Sequence, residues 1–297
     1  SVEGQRGVKT GRPLIASLAN ASTAALVAWR AGTGGGGSPN RSRAASSCGP
    51  PRYPAMIWRI GTAGWSIASQ YADRFPETGF ALERYAHRFS CVEVNSSFYR
   101  SHRPATWTRW ASIVPEDFRF AVKVPRAITH ERGLRDCGDL IARLIEETAG
   151  LGKKVGILLV QLPPKLSFHA GTTEAFFSEL AAATPARIAC EPRHASWFDP
   201  DAERLLVELE VARVAADPAR VAAAGLPGGW RGLAYWRLHG SPVMYRSPYG
   251  RGRIGAYAAL IEREHRGIEA PWCIFDNTAA MAALGDAFEL SSQAPSA

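Results

Sequence analysis

The sequence predicts an α/β protein, a (β/α)8 TIM-type barrel that follows a disordered N-terminal extension. Eight short apolar runs recur along the chain, each about as long as a buried parallel strand, and each stops at polar or ionisable residues. The segments between the runs are long enough to return as helices. A doubly wound open sheet is the main alternative, but the first turn, GTAGW, lacks the glycine pattern of a dinucleotide-binding turn.

The predicted strands are runs rich in β-branched or aromatic residues. They are RIGTAGW (59–65), CVEVNSSF (91–98), RFAVKVP (119–125), GILLVQLP (156–163), RIACEPRH (187–194), ARVAAD (212–217), YWRLHG (235–240) and CIFDN (273–277). In such a barrel the C-terminal ends of all strands open into one mouth. We therefore expect the polar residues that end these runs to meet there.

The predicted helices have apolar residues at helical spacing, so that one stripe of each helix packs on the barrel. The expected ranges are 82–89, 104–112, 140–145, 173–183, 201–211, 218–224, 254–265 and 281–288. Residues 56–297 are long enough to bury a sizeable core as a single domain.

The first 55 residues differ from the rest in composition. They contain the tract GTGGGGSPNRSRAASSCGPP, which predicts disorder. They also carry seven basic residues and one glutamate, a net charge of +6 out of +8 for the whole chain. No methionine precedes Met56, so we expect residues 1–55 to lie outside the functional fold. The barrel is then close to neutral, which weakens an argument from net charge for nucleic-acid binding.

The cysteines and the apolar segments predict the compartment. Five cysteines without a C-x-x-C pair indicate free thiols in a reducing cytoplasm and offer no zinc site. The apolar stretch 13–29 is interrupted by Asn20 and several hydroxyl residues, so it is too polar for a membrane span. We expect a cytoplasmic protein without a membrane-spanning segment.

Seven motifs carry a family resemblance: IGTAGWS, YAHRFSCVEVNSSFYR, FAVKVPRAITH, LLVQLPP, EPRHASWF, WRLHG and FDNT. Together, and in this order from Met56 to Leu290, they resemble the YecE-like family, a group of (β/α)8-barrel proteins described as a domain of unknown function. The resemblance implies the barrel and its shared mouth, but it brings no established reaction. The extension before Met56 departs from the family's pattern, in which chains begin just before the G-T-x-G-W turn.

The second predicted strand carries the first candidate catalytic group. Period-two alternation places Glu93 and Asn95 on one face, and Tyr99 follows on the loop. Glu93 is a candidate general base near a ligand. The alternative is a buried Glu93 that pairs with a basic residue of a neighbouring strand, such as Lys123.

The fifth predicted strand carries the second candidate. Glu191 and Arg193 share a face at its end, and Glu191 is another possible base. The planar fork of Arg193 suits a carboxylate or a phosphate. The alternative is a structural ion pair that closes the top of the barrel, either Glu93 with Arg193 or Glu191 with Arg237.

Lys123 points inward on the third predicted strand, just before Pro125, and His130 lies on the loop that follows the strand. A buried lysine among other cations has a lowered pKa and can act as a base or as a Schiff-base nucleophile. The more ordinary role of a single lysine on a strand is that of an ion-pair partner.

The loop after the seventh predicted strand is an expected anion site. Arg237 and His239 alternate onto one face, and residues 240–250 add Arg246 and Tyr249. Barrels often bind a phosphate near the loops after strands seven and eight. The alternative is a rigid lid interrupted by prolines.

A divalent metal is an alternative that we do not favour, and no cofactor is specified. Glu93, Glu191, His239 and Asp276 come from four strands and offer oxygen ligands with one imidazole. No local signature such as H-E-x-x-H supports a metal site.

These residues predict a barrel that binds and transforms a small polar anionic substrate, phosphorylated or sugar-like, in its mouth. The expected chemistry is acid/base catalysis by a hydrolase or an isomerase, with Glu93 or Glu191 as base and His239 as acid. The alternative is a nucleic-acid-processing or ligand-sensing barrel without small-molecule turnover. The predicted catalytic residues are Glu93, Glu191, Lys123 and His239, and the predicted substrate-binding residues are Trp65, Asn95, Tyr99, Arg193, Trp197, Arg237, Arg246, Tyr249, Asp276 and Asn277.

Overall fold

The structure is a computed structural model that describes residues 58–264, 268 and 270–295. The predicted extension, residues 1–55, lies outside the described residues, so its disorder and its boundary with the barrel stay predictions. In the described part of the chain, strands and helices alternate as the sequence predicts.

Ten strands form in the described residues. They are β1 (Arg59–Thr62), β2 (Cys91–Val94), β3 (Arg119–Lys123), β4 (Val155–Gln161), β5 (Arg187–Glu191), β6 (Val211–Arg213), β7 (Ala215–Asp217), β8 (Gly228–Gly229), β9 (Tyr235–Leu238) and β10 (Trp272–Phe275). The pairings between them are parallel, except that the short β8 runs antiparallel to β6.

Seven α-helices lie between the strands in the same part of the chain. They are α1 (Ala81–Ala86), α2 (Pro104–Ser112), α3 (Gly138–Thr148), α4 (Ala170–Ala183), α5 (Pro200–Glu208), α6 (Arg251–Glu264) and α7 (Ala283–Ser291). The predicted helix at 218–224 is wrong, because only a short 3₁₀ helix, Ala222–Gly225, forms there. Gly225, Pro227 and Gly228 follow closely, and these residue types do not continue a helix.

The strand order returns to its starting strand. β6 and β7 are two halves of one strand interrupted at Val214, whose N–H donates to Cys190 O over 2.8 Å. β6 pairs with β5, whereas β7 pairs with β9, which continues through β10 to β1. A parallel bridge between Ala63 and Glu93 joins the ends of β1 and β2. This arrangement confirms the predicted (β/α)8 class.

The seam between β1 and β2 depends on a side chain from α1. Thr62 N donates to the hydroxyl of Tyr85 over 2.9 Å, and this hydroxyl donates to Cys91 O over 3.1 Å. The tyrosine therefore replaces a direct hydrogen bond between the two strands. A Cβ at Gly61 would lie only 2.4 Å from Cys91 O, so glycine lets the strands approach this closely.

The buried apolar side chains of the described residues form two clusters. Successive residues of β4 alternate between the two clusters. Ile157 and Leu159 belong to the smaller cluster, and Leu158 and Val160 belong to the larger one. Because side chains alternate along a strand, the small cluster lies inside the barrel and the large one between strands and helices.

Two further properties of the described residues bear on the sequence predictions. None of their helices combines the length and the apolar character needed to cross a bilayer. Cys91, Cys137, Cys190 and Cys273 are buried and have free thiols.

Candidate active site at the barrel mouth

The strand ends bring the predicted polar residues to one rim. Lys123, Gln161 and Glu191 are the last residues of β3, β4 and β5. His239 and Asp276 directly follow β9 and β10. Parallel strands place such residues at the same end of the barrel, and the contacts below show that most of them meet.

Arg237 of β9 lies at the centre of these residues and is 0% exposed. Its Nε donates to Glu93 Oε2 over 2.9 Å, and its Nη2 donates to Glu93 Oε1 over 2.6 Å. Nη1 donates to a Glu191 carboxylate oxygen, and Nη2 also donates to Asp276 Oδ2 over 3.0 Å. The Tyr235 hydroxyl donates to Glu93 Oε2 over 2.8 Å. One guanidinium therefore binds three carboxylates.

This geometry corrects the prediction that Arg237 binds a substrate anion. A fully buried guanidinium whose three nitrogens all donate to carboxylates has no exposed surface to offer a ligand. The alternative ion pair between Glu191 and Arg237 is present instead. We call Glu93, Glu191, Asp276, Arg237 and His239 the charge cluster.

His239 joins two carboxylates of the charge cluster. Its Nδ1 lies 3.0 Å from Asp276 Oδ2, and its Nε2 lies 3.2 Å from Glu191 Oε1. Two acceptors around one ring favour the doubly protonated imidazolium, in which both nitrogens donate. Burial opposes this charge, but the Glu191 carboxylate and the hydrogen bond with Asp276 outweigh burial and raise the pKa of His239.

Arg193 adds a further cation beside Glu191. Its Nη2 and Nε lie 2.9 and 3.2 Å from Glu191 Oε1. Burial alone would raise the pKa of Glu191, but Arg237, His239 and Arg193 hold that pKa well below its usual value. Glu93 and Glu191, the two predicted bases, are thus engaged in buried ion pairs.

Lys123 has a different environment from these paired residues. It is 5% exposed, and its Nζ lies 4.2 Å from the centroid of the Phe98 ring. Within the described residues its Nζ has no hydrogen bond and no ion pair, so the alternative pair with Glu93 is not formed. Burial and the nearby Arg237 lower the pKa of Lys123 to about 8, although the three carboxylates of the charge cluster act in the opposite direction.

A π-helical turn, Ala127–Glu131, carries His130 beside this lysine. The imidazole packs edge-on against Phe98, with ring centroids 5.0 Å apart. Burial lowers the pKa of His130, and four surrounding cations lower it further: Lys123, Arg126, Arg193 and Lys165. This side of the mouth is therefore electropositive.

The two tryptophans predicted to bind substrate, Trp65 and Trp197, differ in burial. Trp65 is partly buried and packs edge-on against Trp110, with ring centroids 4.9 Å apart. Trp197 is 1% exposed, and its Nε1 donates to Leu166 O over 2.9 Å, which places it in the core and corrects its prediction as a substrate wall. Tyr99 is 72% exposed and makes no contact with the charge cluster among the described residues.

The residues of the predicted anion site on the loop after the seventh barrel strand lie in different environments. Tyr249 is buried, and its N–H donates to the carboxylate of Asp286 over 3.1 Å, just before α6 begins. Asn277 Nδ2 donates to Asp286 Oδ2 over 2.7 Å. Arg246 is exposed on a groove of about 440 Å³ that Asp286 also lines. The Asp286 carboxylate therefore accepts the hydrogen bonds of Tyr249 N and Asn277 Nδ2, and anion binding by Arg246 stays a prediction.

Asn95 lies at the mouth although it has left the strand. Its backbone is helical, with φ −80° and ψ −23°, and its Nδ2 donates to Asp276 Oδ1 over 3.2 Å. Its Oδ1 is buried without a hydrogen-bond partner among the described residues. A buried acceptor without a partner is costly, so Asn95 is suited to a ligand that donates a hydrogen bond.

Three contacts of the mouth region were missed from the sequence. Phe98 lies beside both Lys123 and His130. Ser96 Oγ lies 2.8 Å from His102 Nε2. The motif NSSFYRSH contains Ser96, Phe98 and His102, but its letters do not reveal which side chains they meet.

The metal alternative receives no support from the geometry of the described residues. None of their His, Cys, Asp and Glu side chains form a group of three or more that is arranged to hold an ion. The side chains of the metal alternative instead bind Arg237 and one another.

The matched family is the one described as protein of unknown function DUF72, and the match extends over residues 59–296. The chain belongs to the DUF72 family. The UPF0759 protein YecE of Escherichia coli K12 is 37% identical over 83 residues, which are 28% of this chain and 30% of YecE. This chain thus matches less than a third of the length of its curated relative.

Solved structures of DUF72 proteins share the fold. One from Enterococcus faecalis V583 has a TM-score of 0.68 at 20% identity, over 80% of this chain and 95% of that one. Another from Thermotoga maritima MSB8 has a TM-score of 0.65 at 20% identity, over 80% and 98% of the two chains. At this identity the similarity establishes the DUF72 fold and carries no information on chemistry.

The charge on His239 predicts a pH dependence of stability in this DUF72 chain. Because its pKa is raised on folding, its contribution is fully present below the unfolded pKa of about 6.5 and is lost as pH rises through the folded pKa. We expect the difference in unfolding free energy between the wild type and His239→Gln to shrink from pH 6.5 to 7.5 in urea titrations. Lys123 titrates near pH 8 and acts in the opposite direction above it, so the comparison ends at pH 7.5. A difference that stays constant over this range would contradict a charged His239.

Proposed function

We propose that the mouth of this DUF72 barrel binds a small anionic molecule, phosphorylated or sugar-like, and transforms it by proton transfer as a hydrolase or an isomerase. The observation that carries this proposal is that the carboxylates in the mouth have cationic partners whereas one cation, Lys123, has no carboxylate partner among the described residues. The carboxylates of the charge cluster are bound to Arg237 and His239, while the Lys123 ammonium has no carboxylate partner among the described residues. An incoming anion would meet a cation that has no ion-pair partner among the described residues, in a partly buried site where screening by solvent is weak.

Two other features support an anionic ligand. Arg126, Lys165 and Arg193 raise the positive potential around His130. The buried Asn95 Oδ1 offers an acceptor for a hydroxyl group of the ligand. A ligand with both a negative charge and a hydroxyl, such as a sugar phosphate, matches both features.

The proton-transfer group that the geometry favours is Lys123 rather than a carboxylate. The low pKa of Glu191 makes it a weak base near neutral pH, because most of its basicity is lost to its three cationic neighbours. Lys123 has a pKa of about 8 and exchanges a proton close to neutral pH. His239 then positions Glu191 and Asp276. The buried free thiols support a cytoplasmic location, which stays part of this proposal.

Thermal unfolding with added anions tests the proposal. At a phosphate or sugar-phosphate concentration of 100 times its Kd, binding stabilises the folded state by about 2.7 kcal/mol. For a domain of this size that corresponds to a rise in Tm of roughly 5–10 °C. We expect Lys123→Gln to lose most of this rise at pH 7. Lys153→Gln is the matched control, because Lys153 is exposed before β4, at the opposite end of the barrel.

Two outcomes would contradict the proposal. A rise in Tm that is the same in Lys123→Gln and in the wild type would place the anion elsewhere. Stabilisation by short duplex DNA alone, with a steep dependence on salt, would favour the nucleic-acid alternative.

A further inference from the structure

Lys123 is chemically distinct from the other lysines of the described chain. The sequence contains five lysines, and Lys9 lies outside the described residues. Lys154 Nζ donates to Ala111 O and Val114 O, over 2.9 Å each. Lys153 and Lys165 are exposed to solvent. Lys123 alone among these four combines burial with an amine that has no hydrogen-bond acceptor.

The surroundings of this amine suit a covalent role. The Phe98 ring covers one side of Nζ at 4.2 Å, a cation–π contact that leaves the amine without a hydrogen-bond acceptor. The three carboxylates of the charge cluster are near enough to favour the charged amine, so they can also stabilise a cation formed at Nζ. Of the cations around His130, the exposed Lys165 has no ion pair among the described residues and is available for the anionic end of a ligand.

We propose that the Lys123 amine is a nucleophile that forms an imine with an anionic carbonyl compound, such as a 2-oxo acid or a phosphorylated aldehyde or ketone. This inference rests on the proposed anion site and narrows its ligand to compounds that also carry an aldehyde or a ketone. It assigns the first covalent bond of the reaction to a residue of β3.

The step balances without an oxidant or a reductant. The lone pair of the neutral amine attacks the carbonyl carbon, and the C–O π electrons move to oxygen. The oxygen takes up a proton as the nitrogen gives one up. The resulting carbinolamine loses its hydroxyl group as water, after protonation, and the nitrogen keeps one hydrogen as a protonated imine. One water molecule is released, and the positive charge at nitrogen faces the same carboxylates that faced the ammonium.

The pH range of the reaction follows from the groups that face Lys123. Arg237 and burial favour the neutral amine, His130 is close by, and Glu93, Glu191 and Asp276 favour the charged form. With a pKa of about 8, half of the Lys123 amines are neutral at pH 8, against about 0.3% for an ordinary lysine of pKa about 10.5. Imine formation at Lys123 should therefore rise from pH 7 to 8.5.

Reductive trapping tests the proposal on the full chain. Glyoxylate, with cyanoborohydride to reduce any imine, labels reactive lysines, and peptide mass mapping identifies them. At pH 8 we expect Lys123 to be labelled at least about ten times faster than Lys153, Lys154 and Lys165, and phosphate to slow this labelling. Acetaldehyde, which carries no anionic group, should label Lys123 with less preference.

Lys123→Arg separates the two proposals. Arginine keeps the positive charge but cannot form this imine, so the variant should retain the rise in Tm with phosphate and lose the glyoxylate adduct. Equal labelling of all four lysines in the wild type, together with a normal phosphate response, would overturn the nucleophile and leave the anion site. Preferential labelling that neither phosphate nor the charge of the aldehyde affects would instead overturn the anionic class of substrate.

Discussion

Arg237→Met is expected to remove several kcal/mol of the unfolding free energy, and the variant will fold poorly or not at all. The substitution leaves the buried carboxylates of Glu93, Glu191 and Asp276 close together without the guanidinium that they share. Removing one partner of a buried ion pair typically costs about 3–5 kcal/mol, and whole domains are stable by only about 5–15 kcal/mol. Urea unfolding followed by circular dichroism measures the loss.

Arg251→Met is the matched control for this variant. The Arg251 side chain is 88% exposed, and its Nε lies 3.5 Å from Glu289 Oε1, a surface pair that contributes little. Near-native stability of Arg237→Met would show that the carboxylates take up protons or rearrange at little cost. In that case the charge cluster would not be a structural element of the barrel.

Glu93→Gln is expected to have the second largest effect, a loss of about 3 kcal/mol. The amide keeps the shape of the side chain but removes its charge, and its NH₂ group must face a donor of Arg237 or the Tyr235 hydroxyl. The variant therefore separates the two roles that the sequence allows for Glu93, a general base at the ligand or a partner in a buried ion pair. Urea unfolding and the phosphate-dependent rise in Tm are measured on the same samples.

Glu208→Gln serves as the control, because its ion pair with Arg204 is exposed, at 60% and 65% of the two side chains. We expect its stability to stay close to that of the wild type. If Glu93→Gln instead keeps wild-type stability but no longer responds to phosphate, Glu93 acts on the ligand and the ion-pair role is refuted.

The strands were predictable because a buried parallel strand must be apolar on both faces, which leaves a clear run of letters such as GILLVQL. The missing helix at 218–224 shows the limit of this approach. Alanines and a valine give that segment helical composition, but Gly225 and Pro227 stop it after one turn. The interruption of the sixth barrel strand at Val214 also has no signal in the sequence.

The meeting of polar residues in the mouth was predictable from the ends of the strands, but their pairing was not. Alternation places Glu93, Glu191 and Arg237 inward without showing that one guanidinium reaches both carboxylates. The burial of Trp197 depends on its hydrogen bond with Leu166 O, which is 31 residues away in sequence. Side-chain partners of this kind depend on distances between elements, which composition and periodicity do not contain.

The seam between β1 and β2, which the Tyr85 hydroxyl bridges, is connected to the charge cluster. Glu93 contributes its backbone to the bridge with Ala63 in that seam, and its side chain binds Arg237. If β1 and β2 separate locally, the Glu93 carboxylate must therefore move away from the Arg237 guanidinium. The loss of this buried ion pair adds an electrostatic cost to the separation of the two strands. The seam and the charge cluster then behave as one cooperative unit, and partial opening at this point is suppressed.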